Sequence, residues 1–455
     1  MKSARAKVLF ELAGRPMLHH VLDAAFDAGA ARAIVVVGFD GDAVAASLGR
    51  YAGRVTTALQ AERRGTGHAV GCAFPELRDA DETAMILCGD TPLVQTSDLA
   101  ALAAALTGDA KLAMLTCKVA DPTGYGRILR APSGEIVGIR EHKDASPDER
   151  AITEVNPAMY VARLEFLRAA IAELRADNAL GELYFTDVVQ AAATRGGTVG
   201  VATDDPGALV GINDRAQRSS AEEVLYARIA DRHRRAGVTV RGSARIDAGV
   251  VIEQDATIEA HVVLRGKTTV GAGARIDVGA VLTDVEVAER ATVLPYTVAT
   301  RSKVGASSQV GPFSHLRPDS DIGEGAHIGN FVETKKTVVH KGAKANHLAY
   351  LGDGEIGEGA NVGAGTIFCN YDGYRKHKTE IGAGAFIGSD SQLVAPIKIG
   401  AGAYVATGTT VTIDVPDDAL AIGRTKQENK LGYASRLKAR LKAGAATKPP
   451  TEPAK

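Results

Sequence analysis

The hexapeptide IGAGAY at residues 399–404 is one copy of a pattern that returns along much of the chain. Other copies read VGAGAR at 270–275, IGEGAH at 322–327 and IGAGAF at 381–386. A period of six matches neither the ~3.6 residues of an α-helical turn nor the alternation of a hairpin strand, and it is typical of a parallel β-helix. We therefore predict that each hexad forms one short strand and a turn, with its aliphatic residue pointing inward.

The aliphatic residues of this repeat keep one phase over long runs that are separated by a few slips. They are Val240, Ile246, Ile252, Ile258, Leu264, Val270, Ile276, Leu282, Val304, Val310, Leu316, Ile322, Ile328, Ile356, Val362, Ile381, Ile387, Leu393, Ile399, Val405 and Val411. Three hexads, or about 18 residues, would close one triangular coil. An irregular glycine-rich β domain is the alternative, and it is disfavoured because random loops do not hold a phase over so many repeats.

The amino-terminal half has a different character, with apolar runs that alternate with stretches rich in Ala and Leu. The apolar runs at 33–38, 84–90 and 111–119 are predicted strands, and the stretches at 15–29 and 97–106 are predicted helices. Alternation of this kind indicates a Rossmann-like α/β domain with a parallel sheet and helices on both faces. Ligands of such sheets bind beyond the carboxyl ends of the strands.

Composition narrows the class of protein. Lys and Arg total 53 against 54 for Asp and Glu, so bulk charge suggests no attraction to nucleic acid or to a membrane surface. No apolar run reaches the ~18 residues of a membrane span, and no export leader is evident, so we expect a cytoplasmic protein. The four cysteines are scattered without a CxxC spacing, which favours reduced thiols over a metal or disulfide site; they are Cys72, Cys88, Cys117 and Cys369.

Two features of the amino-terminal half point to a nucleotide site. Asp90 follows an apolar run and Gly89, at the position where nucleotide phosphates and their Mg²⁺ would lie, and Mg²⁺ prefers oxygen ligands. The alternative is that Asp90 caps the following helix. The Gly65-Thr66-Gly67 turn precedes an apolar helix and could present backbone N–H groups to an anion or a base edge. By itself this turn is weak evidence.

In combination, these and further motifs resemble one enzyme family over nearly the whole chain. In the amino-terminal half they are KVLFELAGRPML (7–18), LQAERRGTGHA (59–69), LCGDTPL (87–93), DPTGYGRI (121–128), GIREHKDA (138–145), EVNPAMY (154–160), GELYFTD (181–187) and GINDR (211–215). In the repeat they are GPFSHLRP (311–318), GNFVETKK (329–336), NHLAYLGD (346–353), NVGAGTIFCNYDG (361–373) and GSDSQLVAP (388–396). The chain resembles the bacterial bifunctional N-acetylglucosamine-1-phosphate uridylyltransferase/glucosamine-1-phosphate acetyltransferases.

For the amino-terminal half, the resemblance implies uridylyl transfer from UTP to N-acetylglucosamine-1-phosphate. Lys7 would face the phosphates, and Asp90 and Asn213 would hold Mg²⁺. The uridine and sugar contacts would fall on Gln60, Gly65, Thr66, Cys88, Gly89, Asp90, Gly126, Glu141, Asn156 and Asn213. The reaction needs aligned reactants and neutralised charge, which Mg²⁺ and a lysine supply, so no nucleophilic side chain is required.

Two departures from the family pattern stand out. The family begins with an apolar strand and a glycine-rich loop ending in GTRM, and this chain starts at Met1-Lys2-Ser3, after that loop. Either the natural chain begins upstream, or the amino-terminal domain is inactive and the protein is an acetyltransferase only. In addition, Asn156-Pro157-Ala158 replaces the more usual Asn-Thr-Gly, which puts the sugar contacts of the last two residues in doubt.

For the repeat, the resemblance implies acetyl transfer from acetyl-CoA to glucosamine-1-phosphate, with His347 as the general base. An imidazole suits that task near neutral pH. Arg317 and Lys335 would bind the sugar phosphate, with Tyr350, Asn361 and Lys376 nearby. Acetyl-CoA would contact Ala364, Asn370, Tyr371, Ser389, Thr407 and Arg424. The segments 335–350 and 366–380 break the six-residue phase and are predicted to be loops or to flank loops.

The resulting domain organisation has a uridylyltransferase domain at 1–215, a linker helix at 216–236, a left-handed parallel β-helix at 237–423 and a basic tail at 424–455. The last dozen residues are predicted to be disordered. The family implies a homotrimer with acetyl-transfer sites between subunits, whereas the balanced charge predicts no nucleic-acid or membrane partner. A non-enzymatic alternative is a trimeric scaffold whose α/β domain senses a nucleotide sugar.

Overall fold

The structure is a computed structural model that describes residues 1–203 and 205–446. The chain forms two compact units, Met1–Asp284 and Val285–Lys455. The first unit contains an α/β part and the first coils of the six-residue repeat, and the second contains the later coils.

The α/β part alternates strands and helices, as the sequence predicts. Its helices are α1 Met17–Asp27, α2 Gly41–Ser47, α3 Thr66–Cys72, α4 Thr96–Ala104, α5 Pro147–Arg150, α6 Leu164–Ala172, α7 Thr186–Arg195 and α8 Arg215–Arg235. Its strands are β1 Glu11–Leu12, β2 Arg15–Pro16, β3 Ala33–Val37, β4 Val55–Leu59, β5 Thr83–Ile86, β6 Leu112–Lys118, β7 Gly126–Arg130, β8 Ile136–Arg140, β9 Glu154–Asn156, β10 Tyr160–Arg163 and β11 Thr198–Ala202. Single 3-10 turns lie at Lys7–Leu9, Leu48–Tyr51, Phe74–Glu76 and Pro206–Leu209. The three predicted strands correspond to β3, β5 and β6, and the predicted helices to α1, α4 and α8.

The main sheet is mixed, which corrects the prediction of a parallel sheet. Its seven strands run in the order β5-β10-β6-β9-β7-β8, with β11 paired to β6. Only β11 is parallel to its neighbour; β10 is antiparallel to both β5 and β6, and β7, β8 and β9 form antiparallel ladders. β3 and β4 form a separate parallel pair. Apolar runs indicate buried strands but carry no information about strand direction, so the mixed pairing could not be predicted.

The sheet strands are buried by helices that carry one apolar stripe each. All of β6 except its last residue is buried, because helices or strands cover both of its faces. Helix α1 buries Met17, Leu18, Val21 and Leu22, at the spacing of one helix face. One core lies between β6, β7, β8, β10, α6 and α7. The core therefore fixes the strand ends that carry the candidate nucleotide residues.

The coils of the first unit follow the predicted triangular period. Their strands are β12 Thr239–Val240, β13 Arg245–Ile246, β14 Val251–Ile252, β15 Thr257–Ile258, β16 Val263–Arg265, β17 Thr269–Val270, β18 Arg275–Ile276 and β19 Val281–Thr283. Each strand pairs in parallel with the third strand along the chain, so that Thr239 pairs with Thr257 and Thr257 with Arg275. This is the ladder of a triangular β-helix, left-handed in this fold class.

The second unit continues the same architecture. Its strands are β20 Glu286–Val287, β21 Thr292–Val293, β22 Val298–Thr300, β23 Lys303–Val304, β24 Gln309–Val310, β25 His315–Leu316, β26 Asp321–Ile322, β27 His327–Asn330, β28 Glu333–Val339, β29 Lys344–His347, β30 Tyr350–Ile356, β31 Asn361–Val362, β32 Ile367–Cys369, β33 Thr379–Ile381, β34 Phe386–Ile387, β35 Gln392–Val394, β36 Ile397–Ile399, β37 Tyr404–Val405, β38 Thr410–Val411 and β39 Leu420–Ala421. Every aliphatic residue of the predicted six-residue series is buried, in both units. The inward-facing assignment is confirmed.

The two predicted interruptions of the repeat have different outcomes. Residues 366–380 contain a true insertion, because the coil that joins Gly354 to its register partner Thr379 is longer than the coil that follows, and the side chains of 371–376 are exposed. Residues 335–350 are not a loop: Glu333 pairs with Tyr350, and the segment forms a regular, slightly shorter coil. The break in the six-residue phase is confirmed, but the prediction of a loop is wrong, because strand positions pointing outward from a solenoid accept Lys and His without leaving the coil.

The carboxyl-terminal tail contains helix α9, Tyr433–Ala446. Because α9 reaches into the dozen residues predicted to be disordered, the prediction was wrong for 444–446, and residues 447–455 lie outside the described part of the chain. Within the described ranges, no helix combines the length and apolarity needed to cross a membrane. All four cysteines are free thiols.

Candidate functional site

Lys7, Asp90 and Asn213 meet in the first unit, as predicted. Lys7 opens the first 3-10 turn, Asp90 lies in the turn after β5, and Asn213 precedes α8. The Nζ atom of Lys7 forms an ion pair with Asp90 and donates a hydrogen bond to Oδ1 of Asn213 at 2.9 Å. The N–H of Ile212 also donates to the Asp90 carbonyl at 2.9 Å. Two oxygen-bearing side chains thus share one ammonium.

Asp90 does not cap the helix that follows it. Helix α4 begins at Thr96, its N-cap residue is Gln95, and no side chain bonds to the N-cap turn. The capping alternative for Asp90 is therefore contradicted. The two oxygens held by Lys7 are instead the kind of ligand that Mg²⁺ takes, although no group of three or more His, Cys, Asp or Glu residues suited to a metal occurs within 1–203 and 205–446.

The Gly65-Thr66-Gly67 turn packs against the segment before α7. The N–H of Gly67 donates to the Leu183 carbonyl at 2.8 Å, and Thr66 Oγ1 accepts from the Phe185 N–H at 3.0 Å. Gly65 has φ 105°, and a Cβ at Gly65 would lie 2.5 Å from the Leu183 oxygen, so a larger residue is excluded. The N–H of Gly67 is therefore already bonded and is not among the donors that this turn could present to a ligand.

Gln60 lies beside this turn at the end of β4. Its Nε2 donates to the Gly65 carbonyl at 3.1 Å and lies 3.2 Å from Nδ1 of His68. The structure therefore brings Gln60, Gly65 and Thr66 together.

Gly126, Glu141 and Asn156 form a second group on neighbouring strands. Gly126 pairs with Asn156 across β7 and β9, and a Cβ at Gly126 would lie 3.5 Å from Oε1 of Glu141 and 2.7 Å from Ile139. Burial raises the pKa of Glu141, while a hydrogen bond from Thr186 acts in the opposite direction. Since Thr186 follows Phe185, this group is continuous with the Thr66 turn.

Cys88 and Gly89 connect the two ends of this surface. The Cys88 thiol lies 3.7 Å from the Ala158 carbonyl, and burial together with the nearby Asp90 carboxylate raises its pKa to about 12. The thiol is thus un-ionised at neutral pH and fills space. A Cβ at Gly89 would lie 3.2 Å from Leu18, so glycine lets this turn pack closely.

The Asn156-Pro157-Ala158 departure has a clear backbone signature. Ala158 has φ 59°, in the left-handed region that favours glycine. Its N–H donates to Oδ1 of Asn156 at 3.0 Å, and Nδ2 of Asn156 donates to the Tyr160 hydroxyl at 2.6 Å. The turn thus takes a backbone shape that glycine adopts without strain, and Asn156 is fixed within it.

His347 lies in a row of residues at one corner of the second unit's coils. Each member follows a buried strand residue by two positions, and the corresponding turns are joined by hydrogen bonds: Gly365 N–H to Leu348 O at 2.9 Å, Asp390 N–H to Ala364 O at 2.7 Å and Gly408 N–H to Ser389 O at 2.9 Å. Arg424 donates to the Thr407 carbonyl at the end of the row. We call His347, Ala364, Ser389 and Thr407 the corner row. It unites the predicted base with three predicted acetyl-CoA contacts.

A second cluster surrounds Tyr350 on the adjoining face. Asn370 donates to Asp353 at 2.6 Å and lies 3.5 Å from the Tyr350 hydroxyl. Lys376 Nζ lies 3.5 Å from Oδ1 of Asn370 and 4.5 Å from the ring centre of Tyr371. The insertion therefore folds back, so that Asn370, Tyr371 and Lys376 border Tyr350.

Arg317 and Lys335 approach the same face. Arg317 pairs with Glu333 at 2.8 Å, and Glu333 and Lys335 belong to β28, whose register partners on β30 are Tyr350 and Gly352. The hydrogen-bond partner of His347 is Asn330, at 2.9 Å, and not a member of this group. Asn361 lies on β31, in register with Lys344. The described contacts of a single chain thus join Arg317, Lys335 and Tyr350, and leave His347 and Asn361 on another face.

Sequence reasoning missed the residues that hold the candidate site residues in place. Asn330 binds the imidazole of His347, Glu333 binds Arg317, and Asp353 binds Asn370. All three lie inside motifs that the sequence singles out. Their coil register, which periodicity alone does not give, is the signal that would have identified them.

Comparison with known proteins gives a consistent result for both halves. A model of the MobA-like NTP transferase domain matches residues 1–191. A "Bifunctional protein GlmU" of Sorangium cellulosum (strain So ce56) is 68% identical over 451 residues, covering 98% of this chain and 95% of that protein. Proteins of the same name from Trichlorobacter lovleyi and Brevibacillus brevis are 48% and 47% identical, over 438 and 444 residues. These alignments cover 95% and 96% of this chain, and 95% of each relative.

Proposed function

The chain belongs to the GlmU family of bifunctional enzymes, and from that membership we propose which of its residues carry each of the two reactions. The protein acetylates glucosamine-1-phosphate from acetyl-CoA and transfers the uridylyl group of UTP to the N-acetylated product, releasing pyrophosphate. UDP-N-acetylglucosamine, the final product, serves cell-wall synthesis. We assign uridylyl transfer to residues 1–215 and acetyl transfer to residues 237–423, with 216–236 as the linker helix and 424–455 as the tail.

In the acetyl-transfer reaction, His347 is the general base. The carboxamide oxygen of Asn330 only accepts hydrogen bonds, so the 2.9 Å contact to His347 Nδ1 puts the ring proton on Nδ1. Nε2 then keeps its lone pair and takes the proton from the sugar amine as the amine attacks the thioester carbonyl. Thiol leaves as coenzyme A, and the acetyl group becomes the amide of the sugar.

The phosphate of glucosamine-1-phosphate binds Arg317 and Lys335. Glu333 holds the Arg317 guanidinium in place at 2.8 Å, and Lys335 projects from the same strand. Guanidinium and ammonium groups are strong partners for a phosphate dianion. Tyr350 provides a further polar contact, with Lys376 beside Asn370. Asn361, which shares the face of His347, contacts the sugar across the interface between two subunits.

Acetyl-CoA binds along the corner row. Ala364, Ser389 and Thr407 present backbone and small side chains beside His347, and Arg424 at the end of the row meets the coenzyme phosphates. Asn370 and Tyr371, on the insertion, cover the thioester end. Small residues in the row support this assignment, because they let an extended ligand lie close to the backbone.

The enzyme acts as a homotrimer. Tyr296, Phe313 and Phe331 stack at centroid distances of 5.3 and 5.6 Å, and about half of each side chain is exposed. Leu348, also exposed, extends this column and directly follows His347. We call these four residues, three aromatic rings and one leucine, the aromatic column. An exposed apolar column is a typical interface feature, and a second chain on it would complete the acetyl-transfer site beside His347.

In the uridylyl-transfer reaction, Lys7 binds the phosphates of UTP, and Asp90 and Asn213 are the residues that would hold Mg²⁺. Both oxygens already hold a cation, the Lys7 ammonium, so their spacing and chemistry suit a metal that takes few carboxylates and shares phosphate oxygens. Bound Mg²⁺ would neutralise charge on the phosphates as pyrophosphate leaves. With Mg²⁺ held by Asp90 and Asn213, the Lys7 ammonium would be free to bind a phosphate oxygen.

The uracil base and the sugar occupy the surface next to this group. Gln60, Gly65 and Thr66 contact the uracil, and the Cys88-Gly89 turn bounds it on the side of Asp90. Gly126, Glu141 and Asn156 contact the N-acetylglucosamine, where only glycine fits at 126, because a Cβ there would lie 2.7 Å from Ile139. We place both reactions in the cytoplasm, where UTP and acetyl-CoA are available and where free thiols such as these persist.

The alignment of His347 with Ala364, Ser389 and Thr407 carries the acetyltransferase assignment. His347→Ala is expected to lower the rate of acetyl transfer by about 10²–10⁴-fold, the usual worth of a general base. Uridylyl transfer should be unaffected. His340→Ala, at an exposed histidine paired with Glu355, is the matched control. Full acetyl transfer by His347→Ala would reject His347 as the general base. Absence of acetyl transfer by the unmutated protein would favour the scaffold alternative.

A further inference from the structure

Five arginines line one cleft of the first unit, outside both candidate sites. The cleft has a volume of about 800 Å³ and lies between α1, the turn around Tyr51, the segment that leads into α4, and α8. This volume is within the range of small-molecule sites. Lys7, Asp90 and Asn213 are not among its lining residues. The arginines are Arg15, Arg50, Arg54, Arg228 and Arg232.

The acidic residues of the cleft do not balance these charges. Asp23 is shared, since it lies 2.9 Å from Arg15 and 3.6 Å from Arg50. Asp27 is the second carboxylate in the lining. Arg228 pairs with a carboxylate outside the lining, Asp205, at 2.9 Å. The remaining four guanidinium groups therefore face two carboxylates in one concave surface, and each additional positive charge raises the attraction for an anion.

The aromatic rings of the cleft are already covered, which argues against recognition of a base by stacking. Arg54 lies 3.9 Å above the centre of the Phe26 ring, and Arg50 lies 5.0 Å from the centre of the Tyr51 ring. These contacts hold the guanidinium groups at the cleft surface. Guanidinium forks bind phosphate oxygens in pairs, and several forks in one cleft match an anion with more than one phosphate group.

Helix α4 directs its amino-terminal end toward the same cleft. Gln95, Thr96 and Ser97 are lining residues, and no side chain caps the helix. The partial positive charge of a helix amino terminus adds to the field of the arginines. Arg228 fixes this segment by donating to the Leu93 carbonyl at 2.6 Å. The cleft thus combines cationic forks with a fixed backbone wall.

We propose that the arginine cleft is a second binding site of this enzyme, for the diphosphate group of a small phosphorylated molecule. Arg50, Arg54 and Arg232 bind its oxygens, and Arg15 closes the wall next to Ala248. The cleft is separate from the Lys7 group, but the segment 92–97 that lines it follows the Asp90 turn by two residues. Occupancy therefore contacts the segment that positions Asp90.

Calorimetric titration of the full-length protein with inorganic pyrophosphate and with UDP, without added Mg²⁺, tests the proposal. We expect two classes of site, of which Lys7→Gln weakens one and the pair Arg50→Gln and Arg232→Gln weakens the other by at least about tenfold, because each charged hydrogen bond lost weakens binding by about that factor. Arg235→Gln, at an arginine of α8 that does not line the cleft, is the matched control. Both transferase activities of the paired variant should match those of the unmutated protein.

Two results would overturn the proposal. The first is a single class of sites in the unmutated protein, lost with Lys7→Gln. The second is unchanged affinity in the paired Gln variant. If that variant fails to fold, Arg50→Lys with Arg232→Lys replaces it and should weaken binding less, because the charges remain while the forks are lost. Equal affinity for both probes assigns recognition to the diphosphate alone, and tighter binding of UDP assigns it to a nucleotide.

Discussion

The Nδ1 atom of His347 lies 2.9 Å from Oδ1 of Asn330, its register partner on the preceding coil. This contact orients the imidazole and selects the tautomer that leaves Nε2 able to accept a proton. Asn330 is thus a positioning residue, acting through His347.

Asn330→Ala should lower kcat for acetyl transfer by about tenfold or more, in line with the loss of other groups that orient a functional histidine. The KM for acetyl-CoA should change little, because Asn330 is not among its contacts. Asn330→Asp should keep the imidazole in its orientation and move the acidic limb of the pH–rate profile to higher pH. The reason is that a carboxylate stabilises the imidazolium. Steady-state rates across pH measure both effects. An unaltered kcat and pH profile in both variants would remove Asn330 from the mechanism.

Lys7→Ala should lower uridylyl transfer by about 10²-fold or more, the magnitude typical for loss of one charge-stabilising donor in an active site. Acetyl transfer by the same variant should be unchanged. Release of pyrophosphate and release of coenzyme A report the two reactions separately. Lys267→Ala, at an exposed lysine of the first unit, serves as the comparison. Chelation of divalent metal should likewise stop uridylyl transfer alone; if acetyl transfer also stopped, the proposed separation of the two sites would be wrong.

Ala158→Gly should stabilise the protein by about 0.5–1 kcal/mol. Ala158 has φ 59°, where an alanine is strained by about 1–2 kcal/mol, and glycine recovers most of this despite its greater freedom in the unfolded chain. Chemical denaturation measures the difference, and Ala110→Gly in the loop before β6 is the comparison. A loss of stability on Ala158→Gly would show that Ala158 is not strained in solution, because the turn adopts another backbone conformation there.

Asp247 should make stability fall as pH rises. Its side chain is buried between α8 and the first coils, and this burial raises its pKa; the Tyr226 hydroxyl and the Gly266 N–H, each at 3.4 Å, only partly oppose the effect. The folded state therefore binds the proton more tightly than the unfolded state, so stability is lost from the unfolded pKa of about 3.9 up through the folded pKa.

Asp247→Asn should remove this dependence. Its melting temperature should exceed that of the unmutated protein at pH 7 and approach it near pH 3, where Asp247 is protonated in both states. Asp79→Asn, at an exposed site, should show no such difference. A variant that is less stable at pH 7 would mean that the ionised carboxylate is favoured in the fold.

Phe331→Asp should weaken the homotrimer, because a charge in the middle of the aromatic column would be buried by the neighbouring chain. Light scattering after size exclusion measures the mass. Acetyl transfer should fall in parallel with the loss of trimer, whereas uridylyl transfer should remain. Tyr374→Asp, at a 93% exposed residue of the insertion, is the aromatic control. A variant that stays trimeric would place the interface elsewhere.

The sequence predicted correctly which residues face the core. It predicted only in part how neighbouring strands and coils are aligned. Every hexad aliphatic residue is buried, because periodicity reports which side of a strand faces the core. It does not report strand direction, and β10 therefore runs against β5 and β6 unexpectedly. It also does not report the length of each coil, which differs between the coils that begin at Lys303, Glu333 and Gly354.

That coil length decides which side chains become neighbours. Asn330 meets His347, and Glu333 meets Tyr350, only because their shared coil is shorter than the coils of the first unit. Candidate residues that depend on chemistry alone, such as Lys7 with Asp90, could be grouped from their motifs. Their supporting partners required the three-dimensional register.

The corner row also sets a length. His347 and Thr407 are three coils apart, and at ~4.8 Å per coil the row spans about 14 Å. Insertion or removal of one whole coil between them would leave the strand ladders intact and change this span by a fixed step. The number of coils therefore sets the length of acyl donor that fits. A carrier with a longer or shorter arm would not reach His347 and Arg424 together.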